Sequence, residues 1–110
     1  MKPLNRTAVA RDFAALVNLD ATDLEAWLEG EESRSVGQRT ADGESIGRAS
    51  GRRIVAILST AEPERSASDF AQMRKVVGFI RRHRAQQPAN IFTSRWRWSL
   101  MNWGHDPLKD

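Results

Sequence analysis

This chain of 110 residues contains no cysteine and no tyrosine, and only four prolines and two histidines. Without cysteine there is no disulfide framework and no thiolate to act as nucleophile or metal ligand, and no Cys/His finger can be built. Neither His83 nor His105 stands at paired-ligand spacing with the carboxylates, so no metal and no other cofactor is expected. Glycine-rich phosphate loops and strained glycine elbows around a hydroxyl are missing as well. These gaps leave no catalytic residue to assign, and an enzyme is not expected. No apolar run approaches the roughly 20 residues that cross a bilayer. The opening Met1-Lys-Pro-Leu-Asn-Arg6 lacks the apolar core of a signal peptide. The expectation is an intracellular protein, cytoplasmic or held at a nucleoid or nucleus, not secreted and without a membrane partner.

Sustained apolar/polar alternation is absent too, and nothing repeats at a period of about 20–50 residues. What remains is helical periodicity. It predicts one all-α domain over 1–110, with about five helices in an orthogonal or bundle-like array. Val9, Phe13, Leu16 and Val17 form the stripe of a first helix over 5–19, capped by Asn5 or Thr7. Thr22-Asp-Leu-Glu25 has the form of a capping box and opens a second helix with Leu24, Trp27 and Leu28, stopped at Gly30. Residues 30–44 have no period and read as a long polar loop, with Val36 as its anchor to the core. A third helix over 45–60 places Ile46, Ile54, Ile57, Leu58 and Ala61 inward. Its Gly47 and Gly51 imply either very close backbone packing or a helix that begins only at Ser50. Pro63 marks a turn. Ser66-Ala-Ser-Asp69 then opens the longest helix, which runs to about Ala85 with Phe70, Met73, Val76, Val77 and Ile80 as a wide apolar arc and Phe79 widening it. This helix is expected to be central. Ile91-Phe92 is expected to return to the core.

Three of the four tryptophans fall in the last helix. Thr93 or Ser94 caps it, Trp96, Leu100 and Trp103 share one stripe, and Gly104 and Pro107 end it. Trp98 and Met101 point away from that stripe, while Arg95, Ser99 and Asn102 make a polar third side. A helix apolar on two sides is either a wedge between two other elements or the carrier of a partner surface at Trp98 and Met101. For His105-Asp106 the favoured role is structural, holding the C-terminal turn. The other role is an acid fixing an imidazole tautomer.

The net charge of +3 hides an asymmetry: residues 1–44 carry five Lys/Arg against nine Asp/Glu, whereas residues 45–110 carry twelve against five. The two halves either attract each other within one fold or leave a basic half for a polyanion. Arg52 and Arg53 on the third helix, and Arg74, Lys75, Arg81, Arg82 and Arg84 on the fourth, make a candidate two-helix phosphate-contacting surface, with Gly78 and Ala71 leaving a shallow trough. Arg95 and Arg97, interleaved with Trp96 and Trp98, add cations and rings. Cations also belong at a helix C-terminus, so Arg81-Arg-His-Arg84 has a local explanation as well. Without a helix-turn-helix signature, base readout is not expected.

The strings Val17-Asn-Leu-x-x-x-x-Leu-Glu-x-Trp-Leu28, Glu44-Ser-Ile-Gly47, Ser50-Gly-Arg-Arg-Ile-Val-x-Ile-Leu58, Met73-Arg-Lys-Val-Val-Gly-Phe-Ile80 and Ser94-Arg-Trp-Arg-Trp-Ser-Leu-Met-Asn-Trp-Gly-His-Asp-Pro-Leu-Lys109 look, in this order, like those of one known family. By them the chain resembles, from about Phe13 to Lys109, a family of short microbial proteins catalogued as a domain of unknown function, number thirty-one forty. Some of its members are labelled DNA-binding, and the resemblance implies no catalytic or contact residues. Two functional expectations follow from the residues. The first is a nucleic-acid-binding protein, for DNA or RNA, that contacts phosphates. The second is a non-enzymatic interaction or self-association module that uses the tryptophan-rich helix on a protein partner or a second copy.

Overall fold

In the computed structural model, which describes residues 5–36, 45–89 and 94–109, every helix of eight residues or more begins on a side chain that accepts a backbone N–H. Asn5 caps α1 (Arg6–Leu16), Asp20 caps α2 (Ala21–Leu28), Ser45 caps α4 (Ile46–Leu58), Ser66 caps α5 (Ala67–Arg84) and Ser94 caps α6 (Arg95–Asn102). Each such cap contributes about 1 kcal/mol. Ser66 and Asp69 form a reciprocal capping box, with the Ser66 Oγ 3.1 Å from the Asp69 amide and the Asp69 Oδ2 3.0 Å from the Ser66 amide.

Two sequence expectations shift here. The second helix starts from Asp20, not from Thr22, because the Asp20 carboxylate lies 2.8 Å from the Asp23 amide and a carboxylate caps at least as well as a threonine hydroxyl. The stretch read as loop from residue 30 holds a short helix, α3 (Glu31–Ser35), before Val36 buries itself in the core. The rest of that loop, Ile91-Phe92 and the alternative cap Thr93 lie outside the described residues. The turn at Pro63 is a single 3-10 turn, Glu62–Glu64.

Among the described residues there are six α-helices and no strand. The domain is all-α and has one core. α5 supplies Phe70, Met73, Val76, Val77 and Ile80 to it, and Phe13, Leu24, Leu28, Ile54, Ile57, Leu100 and Trp103 close around them. Full burial of such a side chain is worth about 1.5–3 kcal/mol. α1 packs on α5, α2 on α4, and α6 is wedged against α2, α3, α4 and α5. The helix that is apolar on two sides is therefore a wedge.

The glycines of α4 explain how the wedge fits. The helix does begin at Ile46, so Gly47 and Gly51 lie inside it and mark close approach. A Cβ on Gly51 would fall 2.5 Å from the Asn102 carbonyl oxygen and 2.8 Å from a Leu28 methyl. At the far end of α6, the Gly104 amide donates to the Met101 carbonyl and the His105 amide to the Leu100 carbonyl, with Gly104 at φ 82°. That pair of bonds is a Schellman closure and requires the left-handed conformation that glycine adopts freely.

Candidate nucleic-acid interface

Phe79 and His83 lie one turn apart on α5, and Trp96 and Trp103 lie two turns apart on α6. Packing α6 on α5 brings these four rings into one ladder. Trp103 stacks on Phe79 at 4.1 Å and 13°, Phe79 on His83 at 5.1 Å and 18°, and His83 faces Trp96 at 6.4 Å and 20°. Offset aromatic pairs add roughly 0.5–1.5 kcal/mol each beyond their buried area. The Trp96 indole N–H donates at 2.6 Å to the His83 carbonyl, which also accepts from the Gln86 amide at 3.1 Å at the end of α5. Trp96 is thus a structural ring rather than a free stacking platform.

Along one side of this ladder runs an open cleft between α4, α5 and α6, about 310 Å³ in volume, whose walls include Ile46, Gly47, Lys75, Phe79, Arg82 and Trp103. A second cleft continues it between α4 and α5 and shares Ile46 and Lys75 with Arg53. Arg53, Lys75 and Arg82 therefore border one continuous groove. Arg74, Lys75, Arg82 and Arg84 are exposed, and none makes an ion pair among the described residues. Arg53 is partly engaged, donating to Ser68 Oγ at 2.7 Å and lying 3.6 Å from Asp69. Asp69 itself is held below the ordinary carboxylate range by the Ser66 amide and hydroxyl and by Arg53.

The remaining cations proposed from sequence are dispersed. Arg52 lies on the α2 side of α4, lining a separate cleft with Glu25 and Glu29. Arg81 turns toward α1 and pairs with Asp12 at 3.3 Å. Arg95 donates to the Ser35 carbonyl at the end of α3. Arg97 grips Asp106 with two nitrogens, each 3.1 Å from a different carboxylate oxygen. Burial works to raise the Asp106 pKa, but the Arg97 bonds and the Leu108 amide outweigh it and hold that carboxylate below its usual range. The trough at Gly78 is occupied by the guanidinium of Arg82, which folds back to 3.1 Å from where a Cβ would sit. Trp98 and Met101 do not form an open apolar patch. Both are half-buried, Met101 packs on the core, and the large apolar side chains exposed among the described residues are Ile46 and Leu108.

Three features were missed in the sequence. Ile46, placed inward from periodicity, is 39% exposed at the lip of the cleft. Asn102, placed on a polar face, is 1% exposed. It accepts from the Trp27 indole at 2.8 Å and from the Ser33 hydroxyl at 2.6 Å, and donates to the Ser33 carbonyl at 3.2 Å. The aromatic ladder has a sequence signal in its spacing, two rings one turn apart followed by two rings two turns apart.

His105 and Asp106 are not a dyad. The His105 ring donates from Nδ1 to the Leu16 carbonyl at 2.6 Å, closing the end of α1, while the Asp106 carboxylate turns to Arg97. The Asp106 amide donates to the Asn18 side-chain oxygen at 2.8 Å, and Asn18 Nδ2 donates back to the Asp106 carbonyl at 3.0 Å. This turn therefore stitches α1 to the C-terminal segment. The His105 Nε2 is buried without a partner. Burial pushes the His105 pKa below its ordinary value of 6.5, against the Leu16 bond, with nearby Arg84 adding to the effect. His83 is lowered by burial as well. In both, the folded state takes up a proton less readily than the unfolded chain. Stability is then fully present above about pH 6.5 and is lost as pH falls below it. We expect the melting temperature to be flat from pH 8 to 7 and to fall from about pH 6.5 to 5, with a shallower fall in His105→Asn. A melting temperature that rose over that interval would contradict this placement of the ring.

Fold and surface together define a small all-α domain with a cation-bordered, aromatic-walled groove. The chain belongs to a family of proteins of unknown function, DUF3140, whose model matches residues 12–101. The comparisons with curated proteins and with solved structures returned no match. Among the described residues no cluster of His, Asp and Glu could hold a metal ion, and no helix is long and apolar enough to cross a membrane.

Proposed function

We propose that this protein binds nucleic acid through its phosphates, using the groove face of α5. The observation that carries this is the pair of exposed cations lining the cleft, Lys75 and Arg82, which have no acidic partner among the described residues; Arg74 and Arg84 are exposed cations on other sides of the same helix. Arg53 lies across the groove from Lys75. Among the described residues, the acids of the first half pair with Arg81 and not with Lys75 or Arg82. Phosphate neutralisation releases counterions, so affinity should fall linearly on a log–log salt plot, with a slope of about −0.9 per phosphate contacted.

The test is fluorescence anisotropy of labelled single-stranded and duplex oligonucleotides across a salt series. Wild type should bind at low salt with a steep slope. Lys75→Glu/Arg82→Glu should weaken binding by at least about tenfold and flatten the slope by about 2. Arg81→Gln, whose cation already faces Asp12, should have a much smaller effect. Salt-independent binding, or none at low salt, would reject the proposal. Because Trp98 and Met101 are half-buried, the alternative of a partner surface on α6 draws no support from an open apolar face.

A further inference from the structure

The cleft between α4, α5 and α6 is lined by two ring nitrogens without a hydrogen-bond partner among the described residues, His83 Nε2, which is buried, and Trp103 Nε1. Trp103 is 4% exposed, yet its indole N–H makes no hydrogen bond among the described residues. Its nitrogen is not fully buried, so the donor that an indole ordinarily commits to an acceptor is left facing solvent. This one faces Gly47: a Cβ there would stand 3.0 Å from Trp103 Nε1, nearer than any other atom. Trp103 and Gly47 both line the cleft, so the donor is reachable from outside only because residue 47 carries no side chain. Around it are Ile46, exposed at 39%, the edge of Phe79, and the Ser99 hydroxyl. Lys75 and Arg82 stand at the lip, two turns and so about 10 Å apart along α5. The first turn of α4 opens on the same space and adds to its positive field.

A bare anion would use the cations but leave the apolar wall and the fixed donor idle. A duplex would bring phosphates but keep its bases paired and stacked. We propose that the cleft receives a single unpaired nucleobase. One of its carbonyl or ring-nitrogen acceptors takes the Trp103 N–H, its ring lies against Ile46 and Phe79, and the flanking phosphates rest on Lys75 and Arg82. The volume, about 310 Å³, is at the small end of the roughly 300–1,000 Å³ typical of ligand pockets and suits one such group. This inference rests on the phosphate-binding proposal and extends it to a preference for single strands.

The full chain is titrated by anisotropy, at one low salt concentration, with oligo(dT), oligo(rU), an abasic strand of the same length and charge, and a duplex. The single strands carrying bases should bind about tenfold or more tighter than the abasic strand, and tighter than the duplex. Gly47→Ala, which places a methyl over the donor, should erase that preference while leaving the salt slope in place. A thermal melt confirms that the variant is folded, and Ile46→Ser, at an exposed position, repeats the test if it is not. Equal affinity for abasic and base-bearing strands, or a preference untouched by both substitutions, overturns the inference and leaves phosphate binding standing. No binding of any strand overturns both. Tighter binding of a poly-glutamate peptide, lost in Gly47→Ala, would assign the cleft to acidic peptides and overturn the base site.

Discussion

Asn102→Leu should lower the stability of the fold by about 3 kcal/mol, seen as a drop in the urea midpoint at unchanged m-value. Leucine keeps the branching of asparagine and removes every hydrogen-bonding atom, while its bulkier methyls add some crowding. Three are lost at once: from Trp27, from the Ser33 hydroxyl and to the Ser33 carbonyl. Ser33 is 0% exposed and cannot turn to water. Each buried group left without a partner costs about 1–3 kcal/mol. Trp27 is only half-buried and recovers part of its loss from solvent, which keeps the total near the middle of the range. Against a typical domain stability of about 5–15 kcal/mol this is a large fraction. Ser33→Ala removes one donor but leaves Asn102 bonded to Trp27, and should cost about 1 kcal/mol. A tolerated Asn102→Leu would mean that α2, α3 and α6 are not joined through this residue.

The contrast between Asn102 and its neighbours shows what could be read in advance. Helix stripes and caps are local: Phe70, Met73, Val76, Val77 and Ile80 declare the buried side of α5 by spacing alone, and Ser66 with Asp69 declares its start. Gly104 could be read for the same reason, since a left-handed closure is a property of one residue. The partner of a polar side chain is not local. Asn102 shares a helical face with Arg95, which is exposed, and only the arrival of Trp27 and Ser33 from distant segments makes its burial tolerable. The cations divide for a similar reason. Arg81 and Arg82 are adjacent in sequence, but a helix turns about 100° per residue, sending Arg81 toward Asp12 on α1 and Arg82 toward the cleft. Ile46 misled because periodicity fixes which side of α4 a residue occupies, whereas at the first position of the helix none of the described residues covers it fully.

One substitution made in two helices should have opposite signs. Gly78→Ala should stabilise the protein by about 0.5–1 kcal/mol, because alanine is the better helix former and restricts the unfolded chain. Its new methyl meets only the end of the Arg82 side chain, at 3.1 Å, which can swing aside into solvent. Gly51→Ala gains the same propensity but sets its methyl 2.5 Å from the Asn102 carbonyl oxygen and 2.8 Å from a Leu28 methyl. Backbone cannot rotate away as a side chain does, so α4 and α6 must separate, and separation strains the Asn102 bonds and the Schellman closure beyond it. Overpacking of this kind costs about 1–3 kcal/mol, so the net change should be a loss of about 2 kcal/mol. Chemical denaturation of the two variants beside wild type measures both signs in one experiment. Gains in both would show that the α4–α6 contact is looser than a backbone-to-backbone approach, and the route by which Gly47 exposes the Trp103 N–H to the cleft would be lost with it.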